Sequence, residues 1–297
     1  MAISESQLET WAKQGSVTQS SATYGTVRRA LEDANAHFAN RSFEIFLQGS
    51  YGNDTNVWKE SDVDVVINLT DIYYYDLESL TPDDRERFNK DTSSAGYTVK
   101  DFKASVSGWL EDRFGDEVDL NGDKAIAIAA NGGRRDADVI VSANYRKYTS
   151  YSPGNIRFHP GICFFTKDST QIVNYPKMHS ANMTTKHQAT NGWLKPMARI
   201  FKNLRNRMVD SDDIENGLAP SYYLEGLLYN VPNDKFGGSY VDTFVNVFNY
   251  LHNTDRSKFL CANERYYLFH PTSPVTWRVE KCEKFLDALR QAWTNWP

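Results

Sequence analysis

Two β-strands and the glycine-rich turn between them are predicted at Ser42-Phe43-Glu44-Ile45-Phe46-Leu47, Gln48-Gly49-Ser50-Tyr51-Gly52 and Asp62-Val63-Asp64-Val65-Val66-Ile67. The first run is rich in aromatic and β-branched residues and ends abruptly at the glycines, as a strand entering a turn does. In the second run, residues i and i+2 share a face, so Asp62 and Asp64 point the same way while Val63 faces the core. The sequence therefore predicts two neighbouring carboxylates on one strand, twelve residues after a Gly-Ser turn.

These two carboxylates would repel each other unless a cation lay between them. The apolar residues that follow, Val65–Ile67, indicate a buried strand, where an unpaired acid is costly. A hard ion such as Mg²⁺ prefers oxygen ligands and also bridges phosphates. Asp-x-Asp patterns are common on solvated surfaces as well, and taken alone this pair favours that interpretation. Its position after a Gly-Ser turn, together with a third acid further along the chain, favours a metal site.

The third carboxylate is predicted on the strand Asp136-Ala137-Asp138-Val139-Ile140-Val141. Asp136 and Asp138 alternate onto one face, so either residue could join the pair. We favour Asp138, because the apolar run follows it directly and places it deeper in the strand. Three such acids would suit two-metal chemistry, in which one ion activates an attacking ribose hydroxyl and the other stabilises a departing pyrophosphate.

A phosphate-binding role is predicted for the Gly-Ser turn and for a basic helix. Gly49 lets the backbone approach a phosphate closely, and the Ser50 hydroxyl can donate to its oxygens. In the predicted helix, Lys195, Arg199 and Lys202 follow i, i+4, i+7 spacing and lie on one face. That face is interpreted either as a solvated surface or as a row of cations that neutralises a triphosphate, with Lys202 at its centre. An apolar stripe lies nearly opposite, formed by Met197, Phe201, Leu204 and Met208.

A further helix is predicted to open at Pro220-Ser221-Tyr222-Tyr223. Ser221 is interpreted either as the cap of that helix or as a phosphate ligand at its N-terminus. The adjacent ring of Tyr222 can stack on a nucleobase.

The composition indicates a globular α+β protein with two lobes. The chain has 297 residues, of which 40% are hydrophobic and 13% aromatic, and this excludes a mainly disordered chain. Helices and a small mixed sheet are predicted in a lobe of residues 1–160. They include a short amphipathic helix at Glu5–Ala12 and a long N-terminal helix over Ala22–Phe38 that can span both lobes. A mostly helical lobe is predicted for residues 161–297.

The net charge of −5 argues against a long nucleic acid as partner but leaves room for small phosphorylated ligands. The 3 cysteines are an odd number without metal-ligand spacing, which favours a reducing compartment. No apolar run approaches the roughly 18 residues of a membrane helix. We therefore expect a cytoplasmic protein without a membrane partner.

These motifs together resemble the nucleotidyltransferase superfamily of DNA polymerase β type, and within it the bacterial cyclic-oligonucleotide synthases (CD-NTases), which are similar to cyclic GMP–AMP synthase. The resemblance covers roughly residues 20–295. The segments that carry it are Gln48–Asn56, Asp62–Val66, Ala137–Ile140, Tyr145–Tyr148, Asn174–His179, Lys195–Asn203 and Ser221–Glu225. The sequence departs from the animal synthase in having no zinc-ribbon cluster of His and Cys, so the resemblance implies no structural zinc.

The resemblance implies a two-lobed enzyme with its active site in the cleft between the lobes. The implied reaction joins nucleoside triphosphates, ATP among them, into a cyclic di- or trinucleotide that activates a downstream effector protein in antiphage defence. The implied cofactor is a pair of Mg²⁺ ions, with Mn²⁺ as a substitute. The implied site residues are Asp62, Asp64 and Asp138 for the metal ions, Gln48, Gly49 and Ser50 for the donor phosphates, Lys202 and Ser221 for the triphosphate, and Tyr222 for a base.

Two other functions fit the same residues. The same chemistry can serve another acceptor, such as an RNA end, a protein hydroxyl or a small molecule, although the acidic total weighs against tRNA. A scaffold that binds nucleotide without turning it over is the second alternative, and the three acids speak against it.

Overall fold

The computed structural model describes residues 3–15, 17–59 and 62–296, and the chain divides into two compact units. The unit that we call the sheet unit consists of residues 18–48 and 62–176. The other, which we call the helical unit, consists of residues 1–17, 49–61 and 177–297. Each unit carries a different part of the predicted site.

The sheet unit contains a mixed sheet of seven strands in its described residues. The strands are β1 (Phe43–Leu47), β2 (Val63–Asp76), β3 (Val118–Asp119), β4 (Ile126–Ile128), β5 (Ala137–Ser152), β6 (Asn155–Phe165) and β7 (Gln171–Asn174). Their order is β1-β2-β5-β4-β3, and β6 pairs with both β5 and β7. Strands β2 and β5 run parallel, whereas the other pairs are antiparallel. The first residues of β2 and β5 therefore lie side by side.

The sheet unit also contains three helices. They are α2 (Val17–Leu31), α4 (Pro82–Asp91) and α5 (Val99–Phe114). The Thr81 side chain caps α4 by accepting from the Asp84 N–H at 3.2 Å. Thr98 and Asp101 form a reciprocal capping box at the start of α5, which satisfies two donors that the helix itself leaves unpaired.

The helical unit is built around the apolar face of one central helix. Its helices are α1 (Glu5–Ala12), α3 (Gly49–Gly52), α6 (Pro176–Ala189), α7 (Leu194–Asp210), α8 (Ser221–Tyr229), α9 (Tyr240–Asn253) and α10 (Val279–Thr294). The stripe predicted on α7, formed by Met197, Phe201, Leu204 and Met208, is completely or almost completely buried in the core of this unit. No described helix combines the length and the apolar character that a bilayer crossing requires.

The expected α+β fold class, with a mixed sheet and a mostly helical second part, is confirmed. The two compact units differ from the predicted division between residues 160 and 161. The hairpin of β6 and β7 belongs to the sheet unit because β6 continues the ladder of β5. Residues 1–17 and 49–61 belong to the helical unit because α1 packs on α7 and the turn after β1 bonds to it.

Two helical predictions differ from the structure. The long N-terminal helix predicted over Ala22–Phe38 is α2, which begins and ends earlier, at Val17 and Leu31, whereas the short helix predicted at Glu5–Ala12 is α1 with the same bounds. Helix α6 was not predicted at all. Its sequence is mostly polar, and among its residues only His179 and Met183 are buried, so it lacks the apolar periodicity that identifies a helix.

Candidate functional site

The predicted acids of the sheet unit lie at the paired starts of β2 and β5, a group that we call the carboxylate edge (Asp62, Asp64, Asp136 and Asp138). Asp64 and Asp138 are direct partners in the parallel register of the two strands. Because partner residues in a ladder share a face of the sheet, their side chains emerge next to each other. The strand is fixed here by buried Val63 and by the Gln48 N–H, which donates to the Asp64 carbonyl at 3.0 Å.

The ionised forms of Asp62 and Asp138 are disfavoured at the carboxylate edge. Burial, and secondarily the charge of Asp136, raises the pKa of the Asp62 carboxyl. Burial also raises the pKa of Asp138, and the charges of Asp62 and Asp136 raise it further. Each of these shifts means that the ionised form is disfavoured where it stands. A cation bound at the edge would relieve this repulsion.

Asp136 differs from Asp138 in having a structural task. It is exposed, and one of its carboxylate oxygens accepts the Ala130 N–H at 2.8 Å, across the Asn131-Gly132-Gly133 turn. Asp138 is half-buried and lies in register with Asp64. This geometry favours Asp138 over Asp136 as the third acid, an assignment that stays a prediction.

The donor set of the carboxylate edge fits a hard divalent cation, because its side chains offer carboxylate oxygens, and burial together with neighbouring acids raises the pKa of Asp62 and Asp138. Among the described residues, however, no three His, Cys, Asp or Glu side chains converge closely enough to form a metal centre as they stand. The edge therefore provides oxygen ligands of the right type, without a closed cage around a metal ion.

The Gly-Ser turn belongs to the helical unit and is a single helical turn, α3. Gly49 has φ +66°, in the left-handed region that a side chain disfavours, so glycine suits the sharp exit from β1. The turn closes on itself when the Asn53 N–H donates to the Gly49 carbonyl at 3.1 Å and the Thr55 N–H donates to the Ser50 carbonyl at 2.9 Å. Gly49 and Ser50 thus lie on a backbone with a defined shape.

The three aligned cations of α7 all contact this turn. The Lys195 ammonium donates to the Asp54 carboxylate at 2.9 Å, and the Arg199 guanidinium donates to the Asp54 carbonyl at 2.6 Å. The Lys202 ammonium donates to the Ser50 hydroxyl at 2.9 Å, so the structure brings two predicted phosphate ligands together. The basic face of α7 is therefore not a solvated surface. It holds the Gly-Ser turn.

Lys202 is completely buried, and its charge is balanced by Glu225 of α8. Its ammonium donates to Glu225 Oε1 at 2.8 Å and to Thr55 Oγ1 at 2.9 Å. Glu225 is 2% exposed and also accepts from Thr55 Oγ1 and, at 2.9 Å, from Asn53 Nδ2. Burial by itself raises the pKa of the Glu225 carboxyl, but Lys202 and His179 outweigh burial and hold that pKa well below its ordinary value.

His179 of α6 completes this buried group, which we call the turn network (Asn53, Thr55, His179, Lys202 and Glu225). Its Nε2 lies 2.7 Å from Glu225 Oε2, so His179 is a buried, hydrogen-bonded residue. The His179 ring stacks on the Tyr222 ring with centroids 4.9 Å apart. The Asn263 amide donates to the Tyr222 hydroxyl at 2.9 Å, so Tyr222 is held on two sides.

Ser221 and Gln48 lie outside the turn network. Ser221 is the first residue of α8, after Pro220 in the cap position, so the interpretation of Ser221 as the cap residue is wrong. Its hydroxyl accepts from the Arg205 guanidinium at 3.3 Å. Arg205 is 8% exposed, and burial lowers its pKa to about 10. Gln48 is the last residue of the sheet unit before the turn. Its Oε1 is buried without a hydrogen-bond partner among the described residues.

Sequence reasoning missed Glu225, Thr55, Asn53 and Asp54 as members of the site. One signal was available: Glu225 is a lone acid in the run Tyr222-Tyr223-Leu224-Glu225-Gly226-Leu227-Leu228. An acid that a helix carries into an apolar core needs a buried partner. The sequence does not say which of several basic residues supplies it.

The charge of Glu225 gives the fold a defined pH dependence. A carboxyl whose pKa is lowered by folding stabilises the fold fully above its unfolded value of 4.5. This contribution declines below that value and is lost as the pH falls through the lower pKa of the folded state. Breaking a buried ion pair costs about 3–5 kcal/mol. We therefore expect Glu225→Gln to lower the free energy of unfolding by about this amount at neutral pH, and by less near pH 3, where part of this contribution is already lost.

Urea denaturation of both proteins between about pH 3 and pH 7 measures this difference. Glu5→Gln is the control, since Glu5 is a half-buried acid of the same unit that lies outside the turn network and accepts the Tyr240 N–H at 2.7 Å. A difference between wild type and Glu225→Gln that is the same at every pH would contradict the assignment of an ionised Glu225.

Comparison with known proteins connects both parts of the site to one group of enzymes. Residues 181–294 match the cGAS/DncV-like nucleotidyltransferase C-terminal helical domain. The chain is 38% identical over 297 residues to the cyclic UMP-AMP synthase of Rhodothermus marinus, covering 100% of this chain and 99% of that protein.

Two solved structures extend the likeness to three dimensions. The Rhodothermus marinus CdnE c-UMP-AMP synthase with Apcpp and Upnpp superposes with a TM-score of 0.87 at 38% identity, covering 99% of this chain and 97% of the other. The Elizabethkingia meningoseptica CdnE cyclic dinucleotide synthase with GTP and Apcpp superposes with a TM-score of 0.77 at 29% identity, covering 98% of both chains.

Proposed function

This chain belongs to the cGAS/DncV-like nucleotidyltransferases, the family of the bacterial cyclic nucleotide synthases, and from that premise we propose that it joins nucleoside triphosphates, ATP among them, into a cyclic dinucleotide or trinucleotide with release of pyrophosphate. The observation that carries this proposal is the in-register pair of Asp64 and Asp138 on adjacent parallel strands. The relatives support ATP as one substrate, because both solved structures contain Apcpp.

The carboxylate edge has the metal-binding role in this proposal. Asp62, Asp64 and Asp138 would hold two Mg²⁺ ions, or Mn²⁺ in their place, since a hard cation favours carboxylate oxygens. Bound Mg²⁺ would lower the pKa of the attacking ribose hydroxyl and offset the charge that develops on the departing pyrophosphate. Burial, and secondarily the charges of neighbouring acids, raises the pKa values of Asp62 and Asp138, and a bound cation would offset both effects, which supports this role.

The Gly-Ser turn has the phosphate-binding role. The backbone of Gly49 and the hydroxyl of Ser50 would bind the donor phosphates, with Gln48 immediately before them in the chain. Lys202 and Ser221 would act on the triphosphate, and Tyr222 would stack on a base. The 2.9 Å contact between the Lys202 ammonium and the Ser50 hydroxyl supports a common task for these two residues.

The cyclic product would act as a second messenger in antiphage signalling, by binding a separate effector protein. The family assignment supports this step, since the relatives that match along the full chain are synthases of cyclic nucleotides. In this reaction the protein itself needs no template strand, which agrees with its net charge of −5.

The proposal is tested by product analysis. The purified protein is incubated with Mg²⁺ and the four nucleoside triphosphates, terminal phosphates are removed with phosphatase, and the remainder is analysed by mass spectrometry. We expect a phosphatase-resistant cyclic nucleotide that contains adenosine and that does not form when the divalent cation is chelated. Transfer of nucleotide only to RNA, protein or a small molecule would indicate another acceptor. The absence of any product with every nucleotide mixture would contradict the proposal.

A further inference from the structure

We infer that Glu225 is a positioning residue for the triphosphate-binding turn, and that Lys202 acts on the nucleotide through Ser50 instead of contacting the triphosphate itself. This inference rests on the proposed function, because it assigns Ser50 to a nucleotide phosphate. It concerns residues of the helical unit alone, and it follows from where their hydrogen bonds go.

The Lys202 ammonium donates both to the turn and to Glu225. The Lys202 ammonium donates to Ser50 Oγ at 2.9 Å, to Thr55 Oγ1 at 2.9 Å and to Glu225 Oε1 at 2.8 Å. The side chain is completely buried. A hydroxyl that accepts from a cation is polarised and becomes a stronger donor to an anion. The charge of Lys202 therefore reaches a phosphate by way of the Ser50 O–H.

Glu225 lies at the centre of the turn network. Its Oε1 accepts from Lys202 at 2.8 Å and from Thr55, and its Oε2 accepts from Asn53 at 2.9 Å. These partners lie on α7 and on the turn itself. One carboxylate thus fixes the shape of the turn at residues 53 and 55 and also fixes the lysine that contacts residue 50.

Glu225 also connects the turn to Tyr222, the predicted base-binding ring, by way of His179. Glu225 Oε2 also lies 2.7 Å from His179 Nε2, and the His179 ring stacks on Tyr222. His179 is 3% exposed, so its ring has little freedom to tilt. The same carboxylate therefore orients Ser50 through Lys202 and Tyr222 through His179, and a change at Glu225 is felt at both residues.

Binding of a non-hydrolysable ATP analogue with Mg²⁺ separates positioning from direct contact. If Glu225 positions the turn, Glu225→Gln weakens binding of the analogue about tenfold and raises KM, while kcat changes less than about threefold. If the Lys202 ammonium contacts the triphosphate, removal of the Glu225 charge leaves Lys202 uncompensated, and the analogue binds more tightly. Tighter or unchanged binding would overturn the inference.

Thr55→Val keeps the test decisive if Glu225→Gln folds poorly. Valine has nearly the shape of threonine and leaves no buried charge unpaired, yet it removes the hydroxyl that joins Lys202 to Glu225. We expect the same direction, with analogue binding weakened about fivefold. Glu5→Gln is the control, and its analogue binding should equal that of the wild type.

A double-mutant cycle tests the path through Ser50. If the network acts by orienting the Ser50 hydroxyl, Thr55→Val costs about fivefold in the wild type and almost nothing in a Ser50→Ala background. Additive losses would show that Thr55 acts independently of Ser50 and would overturn the inference. Because the readout is analogue binding, a protein that binds the analogue in this pattern but makes no cyclic product would contradict the proposed function and leave this inference standing.

Discussion

Replacing Asp62 and Asp64 together by asparagine should abolish product formation, with a loss of at least about 10³-fold, while the fold stays intact. Asparagine has the shape of aspartate but is neutral, so the variant loses two of the carboxylates that would hold the divalent cations. Each tenfold loss in rate corresponds to about 1.4 kcal/mol of barrier height. A deficit of three orders of magnitude or more is the scale expected when metal-ion chemistry is removed.

The measurement is the rate of cyclic product formation in Mg²⁺, together with circular dichroism and the thermal midpoint. Asp112→Asn with Asp116→Asn is the matched control, since it removes the same charge from two exposed acids of the sheet unit. The control should keep the wild-type rate. A variant with Asp62→Asn and Asp64→Asn that retains more than about a tenth of the activity would exclude the metal assignment.

Asp138→Asn should be nearly as inactive as that double variant, whereas Asp136→Asn should keep most of its activity. The physical reason is the division of tasks between the two residues. Asp138 lies in register with Asp64, and Asp136 accepts the Ala130 N–H at 2.8 Å. We expect a loss of at least about 10³-fold for Asp138→Asn and less than about threefold for Asp136→Asn.

Thermal unfolding shows whether a loss of activity in either variant is caused by misfolding. Burial and the neighbouring charges of Asp62 and Asp136 raise the pKa of Asp138, so its ionised form costs stability in the folded state. When folding raises the pKa of a carboxyl, the free energy of unfolding falls as the pH rises towards that raised pKa. A neutral asparagine at the same position does not titrate and causes no such fall. Asp138→Asn should therefore unfold at no lower temperature than the wild type at neutral pH. An inactive Asp136 variant beside an active Asp138 variant would reverse the assignment.

The local elements of this chain follow from its sequence with few exceptions. Val63–Ile67 combine β-branched residues with buried positions, and Thr98 with Asp101 forms a capping box, so short-range patterns are enough to identify β2 and α5. Helix α6 is the exception, because only His179 and Met183 of its residues are buried and their spacing gives no periodic signal. Where burial is sparse, the pattern that sequence reasoning depends on is missing.

The basic helix shows the limit of the same reasoning. The spacing of Lys195, Arg199 and Lys202 correctly places three cations on one face of α7, and their common direction follows from helical geometry. Spacing cannot tell what that face meets. It meets the turn that follows β1, where Asp54 pairs with Lys195 and Ser50 accepts from Lys202.

The sequence by itself determined that two acids share a face of β2, that a third follows on β5, and that a Gly-Ser turn precedes them, because alternation and turn chemistry are properties of neighbouring residues. Only the tertiary structure decided that Asp64 faces Asp138 and that Glu225 balances Lys202. Strand register and buried ion pairs join residues that are 74 and 23 positions apart. Such pairings depend on how whole elements pack, and no local pattern specifies them.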